Sequence, residues 1–169
     1  MSFQLKFTRP WVTITEPQYS LKESFNLANQ QRPRIPIKFT GPGGMSSTVV
    51  TLLDSGNDIT LMTKENARRL GIDPERDGVP FNVLGVSAGT IRPRLIRIVG
   101  QIGNLRPRVF RVGVGDVPEN LTGYEDMSQY YNIAFKGRES VTISERDTKS
   151  ANMGRLSSQA CRFLGSCPL

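Results

Sequence analysis

Asp54 stands in a setting that is unusual for a surface carboxylate. It directly follows an apolar, β-branched run (STVVTLL, 47–53), lies in a Ser-Gly turn and precedes a second apolar run (ITLMT, 59–63). Both runs are typical of strands. The tripeptide Asp-Ser-Gly alone is also common in ordinary tight turns. The motif is informative because apolar strands flank it on both sides and place this carboxylate at the edge of a core.

Short strands separated by turns predict a mainly β fold with one or two short helices. RIPIKFT (34–40) and the turn GPGG (41–44) predict a hairpin with the run before Asp54. Thr63 is the predicted N-cap of a helix from Lys64 to Leu70, and a second short helix is predicted from Tyr124 to Gln129. Further strands are predicted at VPFNVLG (79–85), TIRPRLIRIVGQI (90–102), LRPRVFRVGVG (105–115), YYNIAF (130–135) and SVTI (140–143).

The pattern divides the chain into three parts. Residues 1–33 are predicted to be an N-terminal extension, with one strand in the alternating FQLKFT segment and a polar, loosely packed linker over 16–33. Residues 34–143 hold the strand and helix signals and are predicted to form the domain. Residues 144–169 are polar and irregular, which predicts a flexible C-terminal tail.

Composition removes several kinds of chemistry. The chain of 169 residues has no histidine, so Ser-His and Cys-His nucleophile pairs and His-ligated zinc are excluded. Two cysteines are too few for a zinc cluster, and neither a metal nor a cofactor is predicted. No apolar run is long enough for a signal peptide or a membrane span. We therefore expect an intracellular protein without a membrane partner.

The formal net charge of +7 makes an acidic partner conceivable. Six arginines and no acidic residue lie between 92 and 111, at positions 92, 94, 97, 106, 108 and 111. They could contact phosphates, but Phe110 is the only aromatic residue among them, which argues against a stacking platform for single strands. A solvated outer face of two strands is the favoured interpretation, with nucleic-acid binding weak if it occurs.

The chain resembles the retropepsin-like aspartic proteases of retroviruses and LTR retrotransposons. The resemblance covers about residues 34–143, and the segments that carry it are LLDSGND (52–58), MTKENARRLGI (62–72), LGVSAGTI (84–91) and LTGYEDM (121–127). It implies a closed β-barrel or sandwich lobe of the homodimeric acid-protease fold. It also implies an intracellular location, in the cytoplasm or within retrotransposon-like particles.

The resemblance assigns roles to individual residues. Asp54 would be the catalytic aspartate, Ser55 would hydrogen-bond across the dimer beneath the site, and Gly56 would allow close backbone approach. Asp58 would hold the substrate backbone. A flap would close over substrate with a tip formed by Gly85, Val86, Ser87, Ala88 and Gly89. The chain departs from the usual family pattern at three positions: Asn57, Thr122 and Tyr124.

Peptide hydrolysis by carboxylates needs two of them about 3 Å apart sharing one proton. One Asp-Ser-Gly motif supplies one carboxylate, so catalysis requires a homodimer in which each subunit contributes Asp54. The predicted function is an aspartic endopeptidase that cleaves a polyprotein, of retrotransposon type or domesticated. The alternative is a catalytically inactive scaffold of the same fold for dimerisation or peptide binding, which the three departures keep open. A weaker alternative is a nucleic-acid-associated domain that uses the arginine stretch.

Overall fold

The computed structural model describes residues 18–28, 32–84 and 90–146. The predicted strand in the first ten residues and the tail beyond 146 lie outside the described residues. The strands are β1 (Lys22–Asn26), β2 (Arg34–Thr40), β3 (Ser46–Asp54), β4 (Thr60–Thr63), β5 (Val79–Pro80), β6 (Val83–Leu84), β7 (Thr90–Ile91), β8 (Arg94–Ile102), β9 (Arg108–Gly115), β10 (Leu121–Gly123), β11 (Tyr131–Lys136) and β12 (Ser140–Glu145). The helices are α1 (Lys64–Arg69) and α2 (Tyr124–Tyr130).

Six strands form a closed barrel, in the order β2-β3-β10-β4-β9-β8. The barrel closes because β2 also pairs with β8, from Ile37 opposite Ile102 to Thr40 opposite Val99. Strand β5 extends the sheet beyond β8. Most neighbours are antiparallel, but β10 runs parallel to β3 and β4 runs parallel to β9. The mainly β prediction is confirmed.

Alternating residues of the strands fill the barrel. In β2 the side chains of Ile35, Ile37 and Phe39 are fully buried, while the residues between them face outward. Phe39 packs edge-to-face on Phe110, with 5.6 Å between ring centroids. Gly100 makes this contact possible, since a Cβ at that position would lie 2.7 Å from the Phe110 ring. The core is therefore packed around two rings that a single glycine accommodates.

Both predicted helices are present. Thr63 caps α1 by accepting a hydrogen bond from the Asn66 backbone N–H, and Gly71 follows the helix with a φ of +73°, a conformation that glycine adopts without strain. The second helix, α2, begins after Gly123 and ends at Tyr130. Neither described helix is long and apolar enough to cross a membrane.

A second sheet lies beside the barrel, with strand order β1-β12-β11; we call it the terminal sheet. The expectation of a linker over residues 16–33 was wrong at Lys22–Asn26, because these residues form β1 and pair with β12. Phe25 is the only large apolar side chain in β1 and packs against the core. A segment with one apolar side chain has little hydrophobic periodicity, so its strand structure depends on pairing with β12.

Candidate active site

Asp54 is the last residue of β3, and its side chain is half-buried. Its Oδ1 accepts a hydrogen bond of 3.0 Å from the Gly56 backbone N–H. The parallel strand β10 lies beside β3, with Gly123 opposite Asp54. The carboxylate therefore sits at the crossing of two segments that are far apart in sequence.

The loop after Asp54 is bound to the start of α2. The Tyr124 N–H donates to the Asn57 carbonyl at 2.6 Å, and the Glu125 N–H donates to the Asp58 carbonyl at 3.0 Å. The first N–H groups of a helix have no partner within the helix, so the loop satisfies them. We call this assembly of residues 54–60 and 121–126 the catalytic crossing, after the role expected for Asp54 from the sequence.

Gly123 is required by the closeness of the crossing. A Cβ at this position would lie 2.2 Å from the Ile59 carbonyl carbon and 2.5 Å from its Cα. No side chain fits there without separating the two backbones. The Gly123 N–H also donates to the Thr60 hydroxyl at 3.3 Å.

The buried carboxylate of Asp126 holds the two segments of the crossing together. It is 2% exposed, and its Oδ2 accepts hydrogen bonds from the Thr60 N–H at 3.2 Å and the Thr60 hydroxyl at 2.8 Å. Its Oδ1 accepts from the Arg111 N–H at 3.1 Å. One side chain therefore ties α2 to β4 and β9. Sequence reasoning missed it, because an acidic residue in the first turn of a helix is also ordinary at an exposed position.

Two of the three departures have a structural compensation. The Asn57 side chain turns back into its own loop and donates to the Ile59 carbonyl at 2.7 Å. Thr122 is buried and donates to the Thr51 hydroxyl, which donates to the Ile35 carbonyl. Each polar group thus has a partner within the fold. The third departure, Tyr124, is 56% exposed, and its side chain has no hydrogen-bond partner among the described residues.

The other predicted site residues are placed only in part. Ser55, Gly56 and Asp58 lie in the exposed stretch of the loop beside Asp54. The predicted flap tip, Gly85, Val86, Ser87, Ala88 and Gly89, lies outside the described residues. The strands that lead to and from the tip are described, and β6 pairs with β7 through Val83 and Ile91.

A row of apolar side chains, of which Leu52 and Leu61 are buried, extends from Asp54 across the outer side of the barrel strands. Leu121 is paired with both Leu52 and Leu61, so the three side chains share one face with Asp54. Further along, Phe81 and Leu61 converge over Gly113, where a Cβ would lie about 3 Å from both. We call this surface the cleft face.

An apolar depression adjoins Asp54 and Ser55 at the crossing. It encloses about 110 Å³ and is lined mainly by Leu53, Thr122, Met127, Ile133 and Phe135. Phe135 is 54% exposed there, and β11, which carries it, is an edge strand of the terminal sheet. An apolar patch beside an open strand edge is typical of an interaction surface.

Most of the arginine stretch has partners within the chain. Arg94 donates to the backbone carbonyls of residues 76, 77 and 78. Arg106 and Arg108 lie within 4 Å of the Glu145 carboxylate, and Arg111 pairs with Glu125. Hydrogen bonding to Glu125 also raises the pKa of Arg111. Guanidinium groups engaged in this way have fewer donors for phosphates, which agrees with a solvated face.

The closed barrel with two short helices is a retropepsin-like lobe. Among solved structures, this chain is similar to a retropepsin-like aspartic protease from Rickettsia conorii, with a TM-score of 0.54 and 17% identity. The match covers 72% of this chain and 97% of that protein. No known family profile and no curated protein sequence matches. At this identity the similarity establishes the fold alone and does not establish the chemistry of the site.

Proposed function

We propose that the protein is a homodimeric aspartic endopeptidase in which each subunit contributes Asp54. The observation that carries the proposal is the position of this carboxylate, at the β3–β10 crossing of a fold shared with an aspartic protease. The loop is held from both sides by backbone hydrogen bonds. Such a site is organised before substrate arrives, which is what efficient catalysis requires.

The chemistry follows from two carboxylates that share one proton. The ionised Asp54 removes a proton from a water molecule, which attacks the carbonyl carbon of the scissile bond, while the protonated Asp54 of the other subunit donates a hydrogen bond to the carbonyl oxygen. Transfer of a proton to the leaving nitrogen then releases the two peptides. The pair titrates as a unit, so activity needs one proton on it, which gives a bell-shaped pH profile.

The terminal sheet supplies a surface for the second subunit. Within the part of the chain described, one edge of β11 has no neighbouring strand, and Tyr124 and Phe135 expose more than half of their surface beside it. Pairing of β11 with its copy would cover these rings and satisfy the free edge. The same arrangement would bring the two catalytic crossings toward the two-fold axis, where Ser55 would bond across the interface.

The substrate would lie as an extended strand on the cleft face. Backbone hydrogen bonds, some of them to Asp58 and to the flap residues 85–89, would give affinity, and alternate side chains would enter the apolar surface. We propose a polyprotein of retrotransposon or domesticated origin as the natural substrate. The motif spacing of the Asp54 loop, the flap-like segment and the Gly123 segment supports that assignment.

A peptide-library cleavage assay between pH 3 and 8 tests the proposal. We expect pepstatin-sensitive cleavage that is abolished in Asp54→Asn, since the amide keeps the volume and removes the base. Glu65→Gln is the matched control, because it makes the same chemical change on the exposed face of α1 and should leave turnover unchanged. Peptide binding without cleavage by the parent protein would favour the scaffold alternative. Turnover retained in Asp54→Asn would remove Asp54 from the mechanism.

A further inference from the structure

A groove lies between α2 and the strands β8 and β9. It has a volume of about 670 Å³. The strands contribute Arg97, Val109 and Arg111 to its walls, and the helix contributes Ser128, Gln129 and Tyr130. We call it the α2 groove. Neither the proposed catalytic pair nor the proposed dimer edge uses these residues.

The α2 groove begins beside the active-site loop. The Glu125 N–H donates to the Asp58 carbonyl at 3.0 Å, and the Glu125 carboxylate accepts a hydrogen bond from the Arg111 guanidinium. Glu125 therefore has its backbone on the loop that follows Asp54 and its side chain in the wall of the groove. A peptide whose backbone is held at Asp58 would reach the groove within a few residues.

Arg97 is a cation of the groove that lacks a partner. It lies directly opposite Arg111 in the β8–β9 pair. Both side chains point away from the core, because the alternating residues Ile98, Phe110 and Val112 are buried. Like charges at opposed positions of an antiparallel pair destabilise it. The Arg97 side chain is exposed and forms no ion pair or hydrogen bond within residues 18–28, 32–84 and 90–146.

The two carboxylates nearby are engaged by other groups. Glu125 pairs with Arg111. Asp126 is buried, and its oxygens accept hydrogen bonds from the Thr60 N–H, the Thr60 hydroxyl and the Arg111 N–H. Because neither carboxylate pairs with Arg97, all five N–H donors of its guanidinium are open to a ligand.

The other walls of the groove suit a polypeptide better than a nucleic acid. Val109 lies opposite Val99 in the β8–β9 pair, and both are exposed. The Ser128 hydroxyl and the Gln129 amide have no partner among the described residues, so they can bind a peptide backbone. A phosphate chain would gain one free cation here and would face the Glu125 carboxylate, which gives little affinity.

We propose that Arg97 is a specificity-determining residue that receives an acidic side chain of the peptide substrate in the α2 groove. A guanidinium with free donors binds a carboxylate in a defined, often bidentate geometry. Val109 would contact an apolar side chain of the same segment. This proposal rests on the proposed peptidase function and names its class of substrate, an extended segment with an acidic residue some distance from the scissile bond.

Matched peptides test the proposal. In a sequence cleaved in the library assay, glutamate and glutamine are exchanged at each position in turn on both sides of the scissile bond. Both peptide ends are capped so that no terminal carboxylate competes. We expect one position at which glutamate raises kcat/KM roughly two- to five-fold, the range of an exposed ion pair. The preference should shrink as salt rises.

Three variants separate the role of Arg97 from general charge. Arg97→Gln should abolish the preference, and Arg68→Gln, which changes an exposed arginine of α1, should retain it. Glu125→Gln should increase the preference, since it releases the Arg111 guanidinium for the same carboxylate. No preference at any position, or a preference that persists in Arg97→Gln, would overturn the proposal. So would a loss of activity in Arg97→Gln that is equal for both peptides.

A selection experiment keeps this result apart from the fate of the peptidase proposal. Asp54→Asn and the double variant Asp54→Asn/Arg97→Gln each retain peptides from a randomised, end-capped decapeptide library, and the retained peptides are sequenced. Acidic residues enriched roughly two- to five-fold by the first variant over the second support the assignment even if the parent protein cleaves nothing. Equal acidic content in the two pools counts against it even if cleavage is robust.

A nucleic acid is the competing occupant. A short single-stranded RNA is titrated into the parent protein, Arg97→Gln and Arg68→Gln at physiological salt. We expect weak binding that the two variants reduce equally, because a general loss of positive charge is then the only effect. Tight binding that is lost in Arg97→Gln alone would assign the groove to nucleic acid and overturn the proposal.

Discussion

The catalytic crossing and the terminal sheet satisfy their polar groups in opposite ways. In the crossing and just below it, the buried Thr51, Thr60, Thr122 and Asp126 all have hydrogen-bond partners within the chain. Where the terminal sheet meets the barrel, the Arg108 Nε and the Tyr131 hydroxyl are buried without a partner among the described residues. The buried polar side chains of the crossing are thus all satisfied by the described residues, whereas those at the terminal sheet are satisfied only in part.

This difference indicates which region is held rigid and which region is available for association. Satisfied buried polar networks hold one arrangement, which a catalytic carboxylate needs. An open edge with exposed rings gains stability from a partner instead. Substitutions in the two regions should therefore separate the stability of the fold from the stability of the proposed dimer.

The largest effect is expected for Gly123→Ala. The added methyl group would overlap the Ile59 backbone, so the crossing must open, at a cost of about 4 kcal/mol or more. We expect a fall in the thermal midpoint of about 10 °C or loss of soluble protein. Gly43→Ala is the matched control, because a Cβ there meets nothing within 4 Å. Equal stability of the two variants would contradict the tight crossing.

The next effect is expected for Asp126→Ala. The substitution leaves two groups of Thr60 and one of Arg111 without their acceptor, which should lower the free energy of unfolding by roughly 3 kcal/mol. Asp126→Asn keeps one carbonyl oxygen and should recover part of the loss. Urea unfolding measures both. A difference below experimental error between Asp126→Ala and the parent would show that the network does not stabilise the crossing.

A smaller effect, confined to association, is expected for Phe135→Ser. Loss of one half-exposed ring from an interface should weaken the dimer about tenfold and leave the unfolding of the subunit nearly unchanged. Sedimentation equilibrium gives the dissociation constant. Val109→Ser removes a similarly exposed apolar side chain from the outer face of the barrel and should have no effect on assembly. Equal weakening in both variants would exclude β11 as the specific interface.

The smallest effect is expected for Tyr131→Phe. Burial raises the pKa of the Tyr131 phenol above its ordinary value of 10.0. A raised pKa contributes stability that is present below pH 10 and lost as pH rises further, because the unfolded chain ionises first. Tyr131→Phe should be as stable as the parent or up to about 1 kcal/mol more stable at pH 7, and should lose less stability between pH 8 and 11. Urea unfolding midpoints at pH 8 and pH 11 measure this loss of stability in the parent, in Tyr131→Phe and in the control Tyr19→Phe.

Local signals in the sequence were sufficient for much of the fold. The Thr63 cap, Gly71 after the helix and the alternation in 34–40 each predict an element that the structure contains. The position of Asp54 between two strands was also readable, because both strands are strongly apolar. These features depend on residues within a few positions of one another.

Contacts between distant segments were not readable. Strand β10 has three residues and sits between β3 and β4, a placement that no local pattern encodes. No local pattern encodes the pairing of β1 with β12 either. The same is true of the contacts of Asp126, whose hydrogen-bond donors lie in β4 and β9. The ion pair of Arg32 with Glu119 was missed for the same reason, since its two residues are far apart in the sequence.

The long separation within the catalytic crossing has a consequence for synthesis of the protein. Thr60 and Asp126 are 66 residues apart, so at about 5 to 20 residues per second the ribosome needs roughly 3 to 13 seconds to deliver the second partner. Until then the loop after Asp54 lacks the N–H donors of Tyr124 and Glu125 and the Asp126 carboxylate, which bind it in the folded chain. The nascent chain therefore carries Asp54 for several seconds before the contacts that shape its loop can form.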